Sequence, residues 1–435
     1  MAIIAMSDLH LGEESSVANP DLASILVSLY KEDIPDFYSC LKKRLNSEIK
    51  EVNNQTPSHI NQKLQRINDE SGISHVILMG DILDLSVASY HDAAYQARLF
   101  LSRMLEGIVP EHIILIPGNH DHHLWSQVSE EQWIESALKQ NKLWDEPFSR
   151  ITKPTDSLKP NEPGVQFIKG FFPENCQNNI EVAYPNYTTL GPDGWSYVFD
   201  HGHLFDYAQS WIGQWGPGKI IDVNNLEDLE RVNSPWLEMV WYGFGQGGPL
   251  ALDSENLFEE SVRFIEKVKI AKNILLLKNA TTSAKEASKK ILNLGKKIWG
   301  RLSRGKSRKV STPANRGKIT AQGEMELKEN LLNYLNEFIT VNNGYPELST
   351  FVYGHTHSWC DRKNYKKRRI LNTGGWTADE RDVPTSDKKI QTRILVIDNN
   401  GHKLEPIGID KDVQHFCWAM NQALTDSVIS LGNKI

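Results

Sequence analysis

The chain has 435 residues, a length that allows two domains or one domain with a large insertion. Hydrophobic residues make up 40% of it and charged residues 24%, a composition that excludes a disordered chain and is typical of a globular protein. The formal net charge of −7, taken alone, argues against a dedicated nucleic-acid-binding protein.

The N-terminal residues and the cysteines predict a cytoplasmic protein. The first residues lack a basic region and reach an acidic residue at position 8, which is unlike a signal peptide. No apolar run approaches the ~20 residues that a membrane span needs. The four cysteines include no CxxC pair, which is typical of a reduced compartment and disfavours a zinc-ribbon site.

Five short apolar runs predict buried strands, because they are rich in Ile and Val and bounded by Gly or Pro. The runs are residues 2–6, 75–79, 112–116, 195–199 and 350–353. Helical patterns lie between them, as in residues 89–106, and residues 13–74 are helical and polar with a break at Pro57. Strands that alternate with helices predict an α/β layered fold, in which functional groups gather at the carboxyl ends of the strands.

A polar cluster follows each of these runs directly. In chain order the clusters are Asp8-Leu-His10, Gly80-Asp81-Ile-Leu-Asp84, Gly118-Asn119-His120-Asp121, His201-Gly-His203 and Gly354-His355-Thr-His357. Aspartate, asparagine and histidine together provide oxygen and imidazole ligands, which suit Mn, Fe or Zn. Their number exceeds what one ion needs, so the sequence predicts a site for two metal ions.

The five clusters, in this order, resemble the pattern of the calcineurin-like metallophosphoesterase superfamily: DxH, GDxxD, GNH[DE], a middle His and GHxH. The resemblance covers residues 1–12, 75–125, 195–204 and 348–398. It implies a four-layer α/β/β/α sandwich. It also implies a metal-dependent phosphohydrolase that cleaves a phosphodiester, pyrophosphate or phosphomonoester with a metal-bound hydroxide. A nuclease of the same superfamily and a lipid-linked pyrophosphatase at a membrane surface are the alternatives. A binding scaffold without the chemistry is disfavoured, because no ligand of the pattern is missing.

The resemblance also implies which residues bind the ions. One ion is expected at Asp8, His10, Asp81 and His357. The second is expected to share Asp81 and to add Asn119, His201 and His355. Two cations ~3.5–4 Å apart can clamp the attacking and leaving oxygens at phosphorus. Manganese is the expected metal, with iron or zinc as alternatives.

Two further residues of the motifs are expected to be catalytic rather than ligating. His120 falls on the catalytic imidazole of the superfamily, and its pKa range suits stabilisation of the phosphoryl oxygens or protonation of the leaving group. Asp84 is expected to orient His120 by accepting its other ring N–H, as carboxylates around metal sites do.

Other residues near the motifs leave alternatives open. Of His201 and His203, only one is expected to bind metal, and His201 is favoured because it comes first after the strand. His122 and His123 are expected to be loop residues, with a substrate contact as the alternative. The turn at residues 372–376 either lines the site or is purely structural.

The remaining sequence predicts an insertion and hence three segments. Residues 1–204 and 331–435 are expected to form the core, and residues 205–330 a mostly helical cap inserted into it. An insertion after the middle His resembles the lipid-binding lid of the UDP-2,3-diacylglucosamine hydrolases. In that group, however, Arg is common where this chain has His120, and the insertion here is far longer.

The net charge conceals a strongly basic segment. Residues 261–310 contain 15 Lys and Arg against 2 acidic residues, a net charge of +13, so the rest of the chain carries −20. The segment has apolar residues at helical spacing. Such a basic amphipathic helix can be a solvated face of the cap, contact an anionic membrane surface or bind nucleic acid. The expected partners are therefore a phosphate-containing substrate and, through this segment, either of those two polyanions.

Overall fold

The computed structural model of the chain describes 201 of its 435 residues. They are residues 1–13, 15–22, 24, 55–86, 88–140, 157–158, 161–162, 164–205, 233–234, 237–238, 349–365, 368–377 and 392–408.

The described residues include twelve strands and four α-helices. The strands are β1 (Ala2–Met6), β2 (Ile73–Met79), β3 (His112–Ile116), β4 (Ser157–Leu158), β5 (Ile180–Ala183), β6 (Asn186–Leu190), β7 (Ser196–Asp200), β8 (Ser349–Tyr353), β9 (Cys360–Tyr365), β10 (Arg368–Asn372), β11 (Arg393–Asp398) and β12 (Gly401–Pro406). The helices are α1 (Thr56–Ser71), α2 (Tyr90–Met104), α3 (His122–Gln140) and α4 (Val165–Lys169). Short 3-10 helices lie at Glu174–Asn179 and His203–Phe205.

The strands form two sheets. The first has the order β12-β11-β1-β2-β3-β5-β4, and its central strands β1, β2, β3 and β5 run parallel. The second has the order β6-β7-β8-β10-β9, with β7, β8 and β10 parallel. Parallel neighbours place their carboxyl ends along one edge of a sheet, which is where ligand sites form in such folds. Four of the five predicted polar clusters follow β1, β2, β3 and β8, and the fifth follows β7.

Alternating side chains on the strands divide the core in two. In β1, Ile3 packs between the two sheets, whereas Ile4 belongs to the core on the opposite face of the first sheet. That outer core also contains Leu64 of α1 and Phe100 of α2, so these helices cover the first sheet. The break expected at Pro57 is the first turn of α1, a position where proline fits a helix.

The predicted α/β class with two stacked sheets is confirmed. One local prediction is wrong: His122 and His123 are not loop residues, because α3 begins at His122. The proposed cap at residues 205–330 lies outside the described residues, apart from five positions, and the domain boundaries stay predictions. Those positions are Phe205, Asn233, Ser234, Leu237 and Glu238. Within the described ranges, no helix is both long and apolar enough to cross a membrane.

Candidate metal centre

The polar clusters have an unusual backbone conformation at the carboxyl ends of the strands. Within the described ranges, five residues other than glycine have positive φ, in the left-handed region that side chains usually avoid. They are Asp8, His10, Asp81, His355 and His357, with φ between 48° and 63°. Each such residue costs on the order of 1–3 kcal/mol, and this cost is typical of functional sites. All five were predicted from the sequence as metal ligands.

Glycines in the motifs allow the loops to approach one another closely. A Cβ atom on Gly118 would collide with the carboxylate of Asp81, and one on Gly354 would collide with the carboxylate of Asp8. Alanine at either position would therefore displace a carboxylate that faces the centre. The glycines of the GNHD and GHTH clusters are thus explained by packing against the predicted ligands.

Asp8, His10 and His357 form one group of potential ligands. The Nε2 atoms of His10 and His357 lie 3.0 Å apart, and Nε2 of His357 lies 3.5 Å from Oδ1 of Asp8. Ligand atoms of all three residues lie within 4.8 Å of one another. The three side chains are buried or nearly so, and two ring nitrogens pointing at each other favour a shared cation between them.

A second group lies on the other side of Asp81. Oδ2 of Asp81 is 3.1 Å from Nε2 of His201, and Oδ1 of Asn119 is 2.9 Å from the same nitrogen. Oδ1 of Asn119 also lies 3.0 Å from Nδ1 of His355. The opposite ring nitrogen of His201 donates to the carbonyl of Met79 at 2.9 Å, which leaves Nε2 as the ligand atom.

Asp81 faces both groups, as a bridging ligand would. Its Oδ2 is 3.8 Å from Nε2 of His10 in the first group and 3.1 Å from Nε2 of His201 in the second. Its Oδ1 accepts the backbone N–H of His120 at 2.8 Å. This position matches the role that the sequence resemblance implies for Asp81, although its binding of two ions stays a prediction.

Asp84 contacts two histidines rather than one. Its Oδ2 accepts the Nδ1–H of His10 at 2.8 Å and lies 3.2 Å from Nδ1 of His120. The sequence predicted only the contact with His120. Ser86 is a further neighbour that the sequence analysis missed, because its hydroxyl lies 2.7 Å from Nδ1 of His120.

The buried charges stabilise one another strongly. Burial disfavours the ionised form of Asp81, but His201 and His120 outweigh it and hold the pKa of Asp81 well below its ordinary value. Burial also disfavours protonation of His201, yet Asp81 and Asp8 raise the pKa of His201 to about 9. Without a metal, His201 therefore carries a proton at neutral pH. Its positive charge then compensates the charge of Asp81, as a bound cation would otherwise do.

Two groups outside the predicted ligand set hold the loops in place. The carboxylate of Asp121 accepts the backbone N–H groups of Gly118 at 2.6 Å and Ile82 at 2.9 Å, so it connects the second and third clusters. In the turn at residues 372–376, Asn372 donates to the carbonyl of Gly354 at 2.8 Å. This turn therefore supports the fifth cluster. Asp121 could have been noticed, since it belongs to the GNHD motif.

A second set of polar side chains lies beside the centre and includes a residue of the proposed cap. Nδ1 of His122 is 2.7 Å from Oε1 of Glu238, and its Nε2 is 3.2 Å from the hydroxyl of Tyr184. That hydroxyl is 3.5 Å from Nε2 of His203. His203 therefore faces Tyr184, whereas His201 faces Asp81, and the choice of His201 as the metal ligand stays a prediction.

The donor set fits divalent or transition cations. Among the described residues, buried carboxylates and imidazoles converge in four overlapping groups, two of which are those above, and thiolates, which would select softer metals, are not among them. His10 and His201 each have the other ring nitrogen bound to an acceptor of the protein, as metal-binding histidines usually do. All nine residues predicted for the site lie together at this edge of the sheets.

Comparison with known proteins identifies the family. The sequence model described as calcineurin-like phosphoesterase matches residues 1–359. The chain belongs to the calcineurin-like phosphoesterase family. It is accordingly a metal-dependent hydrolase that acts on phosphoester bonds. Among curated proteins, none matches the chain.

Proposed function

We propose that the protein hydrolyses a phosphodiester or a pyrophosphate with two metal ions, and that its substrate carries an apolar or nucleotide portion. A phosphomonoester is the third substrate class. The observation that supports this proposal best is the position of Asp81 between two groups of ligand side chains, Asp8–His10–His357 and His201–His355. Manganese is the proposed metal, with iron or zinc as alternatives.

The residues of the chain would divide the chemistry among them. Two bound ions supply charge compensation for the phosphoryl oxygens and an ionised water nucleophile at neutral pH. Asp8, Asp81 and the surrounding imidazoles would hold these ions. Nδ1 of His120 contacts Ser86 and Asp84, so we assign Nε2 to the phosphoryl oxygen or to protonation of the leaving oxygen.

The cap and the basic segment remain part of the proposal. Residues 205–330 would form a cap, and Glu238 within them already contacts His122 next to the centre. The segment 261–310 lies outside the described residues, and its contact with an anionic membrane surface or nucleic acid stays a prediction. The proposed location is the cytoplasm. Binding to anionic vesicles and to single-stranded DNA, with and without residues 261–310, tests this segment.

A substrate panel tests the proposed function. The manganese-loaded protein is assayed with bis-p-nitrophenyl phosphate, p-nitrophenyl phosphate, a UDP-sugar lipid and single-stranded DNA. We expect manganese-dependent hydrolysis that is faster for a diester or pyrophosphate than for the monoester, and that is lost with a chelator. Metal-loaded protein that hydrolyses none of the four would contradict the proposal, and preference for the monoester would correct the substrate class.

A further inference from the structure

Ser86 lies beside the two residues predicted to be catalytic, outside every motif that the sequence analysis used. We propose that Ser86 is a positioning residue that holds the imidazole of His120 in one orientation and one tautomer. The inference rests on the proposed function, because it assumes that His120 acts in phosphoester hydrolysis. It adds a residue of this chain that the ligand set and the catalytic pair do not include.

The neighbours of Ser86 determine which group donates in each of its hydrogen bonds. Its hydroxyl lies 2.6 Å from Oδ1 of Asp84 and 2.7 Å from Nδ1 of His120. Both oxygens of Asp84 accept hydrogen bonds, Oδ2 from the Nδ1–H of His10 at 2.8 Å and Oδ1 from the backbone N–H of Ser86 at 3.0 Å. A serine hydroxyl has one proton, and Ser86 donates it to Asp84. The oxygen of Ser86 must then accept, and the proton between it and His120 belongs to Nδ1.

Asp84 consequently interacts with His10 and His120 mainly through different oxygens. Oδ2 accepts the Nδ1–H of His10 at 2.8 Å, whereas Oδ1 accepts the hydroxyl of Ser86 and its backbone N–H at 3.0 Å. The direct distance from Oδ2 to Nδ1 of His120 is longer, 3.2 Å. Asp84 thus contacts the predicted metal ligand directly and reaches the predicted catalytic histidine mainly through Ser86.

Burial makes this arrangement effective. Ser86 and Asp84 are fully buried, and His120 is 3% exposed. Water therefore cannot easily replace the hydroxyl, and a buried N–H left without its acceptor is costly. In Ser86→Ala, the Nδ1–H of His120 loses its contact at 2.7 Å, and its longer contact with Asp84 goes to an oxygen that already accepts from His10. The ring of His120 should lose its fixed orientation, while His10 keeps its partner.

The kinetic test is a double-mutant cycle on the manganese-loaded protein with bis-p-nitrophenyl phosphate. We expect Ser86→Ala to lower kcat by about 10- to 100-fold, the usual effect of removing a group that orients a residue of a metal site. KM and the manganese content should change little. In a His120→Ala background, the same substitution should lower kcat by less than about twofold, because residues that act through one another are not additive.

Three variants separate this role from a general packing effect. Ser86→Thr retains the hydroxyl and should restore most of kcat, whereas Ser86→Cys has a similar shape but a weaker hydrogen-bonding group and should not. Ser157→Ala is the matched control, because the hydroxyl of Ser157 also donates to a carboxylate that contacts a histidine. That carboxylate is Glu181, at 2.5 Å, away from the metal centre. This control should leave kcat unchanged.

A measurement that does not depend on activity is NMR of histidine side chains in the zinc-loaded protein. The Nδ1–H of His120, assigned by its absence in His120→Ala, should be protected from exchange in the natural protein and broadened in Ser86→Ala. An equal loss of kcat in both backgrounds, no loss in Ser86→Ala, or an unchanged Nδ1–H signal would overturn the inference. By contrast, a protein in which His120→Ala costs no activity would show that the proposed function of His120 is wrong.

Discussion

The two edges of the stacked sheets both contain histidines paired with carboxylates, and only one of them resembles a metal centre. At the carboxyl edge, Asp81 lies 3.1 Å from Nε2 of His201. At the amino edge, Glu181 lies 2.8 Å from Nδ1 of His112, whose ring stacks on His75 with centroids 4.7 Å apart. A single histidine–carboxylate pair therefore does not distinguish a metal centre from a structural contact.

The difference lies in the backbone and in the number of carboxylates. Among the described residues, every non-glycine residue with positive φ belongs to the carboxyl edge. Every group of potential metal ligands among these residues belongs to the same edge. The pKa values of histidines at the two edges shift in opposite directions. Asp81 and Asp8 raise the pKa of His201 to about 9 against burial, whereas burial and the neighbouring His112 lower the pKa of His75 to about 4. Convergent carboxylates, rather than histidines, identify the site.

The largest expected effect comes from removing the carboxylate of Asp81 at the carboxyl edge. Removal of the carboxylate of Glu181 at the amino edge is the comparison. Asp81→Asn should reduce bound manganese from about two ions per chain to one or none, because this residue faces both ligand groups. Activity should fall by more than about 10⁴-fold, beyond what a single acid–base group contributes. Glu181→Gln is the matched control and should retain both metals and activity. Metal analysis and diesterase assays measure the outcome, and equal losses in the two variants would remove the distinction between the edges.

Removing the predicted catalytic histidine should have a smaller effect. His120→Ala should lower kcat by about 10²- to 10⁴-fold, the range for a positioned acid–base group, while both metals stay bound. The corresponding change at the amino edge, His112→Ala, should leave kcat within about twofold of the natural protein. Retention of full activity in His120→Ala would show that this imidazole has no part in the reaction.

The raised pKa of His201 predicts that metal binding releases a proton from this residue. The pKa of His201 is about 9 in the metal-free protein, so its ring carries a proton at pH 7, and a metal requires the neutral ring. Manganese binding should therefore release protons, and affinity should rise by up to about tenfold per pH unit between pH 6 and 8 for each proton released. Calorimetry in buffers of different ionisation enthalpy measures this number. Binding without proton release would contradict the assignment of His201.

The amino edge should affect stability rather than activity. The pKa of His75 is about 4 in the folded protein, below its ordinary value of 6.5, so between these values the unfolded chain binds more protons. The free energy of unfolding should therefore fall as the pH is lowered from about 6.5 to about 4. In His75→Asn, Tm should depend less on pH in this window. His91→Asn, at an exposed position of α2, is the control, and an identical pH dependence in all three proteins would rule out this contribution.

The motifs allowed the fold class and the placement of the site to be predicted, because their signals are local. An apolar run followed by Asp8 or by Asp81 indicates both a strand and its polar carboxyl end. Parallel strands then bring those ends together without further information. The family match agrees with this reasoning.

Contacts between distant segments could not be predicted in the same way. Asp84 was assigned to His120 alone, but it also contacts His10, which lies 74 positions away in sequence. Ser86 reaches His120 across 34 positions, and no spacing rule links them. His122 begins a helix instead of lying in a loop, although Asp121 directly before it is a residue type that often starts helices. In the structure, the carboxylate of Asp121 accepts the backbone N–H of Gly118.

The most direct test of the central claim is an anomalous difference map from crystals of the manganese-loaded protein. Two peaks should lie about 3.5–4 Å apart on either side of the carboxylate of Asp81, with Asp8, His10 and His357 around one and Asn119, His201 and His355 around the other. A single peak, or peaks at His75 and His112 instead, would contradict a dinuclear centre at the carboxyl edge of the sheets.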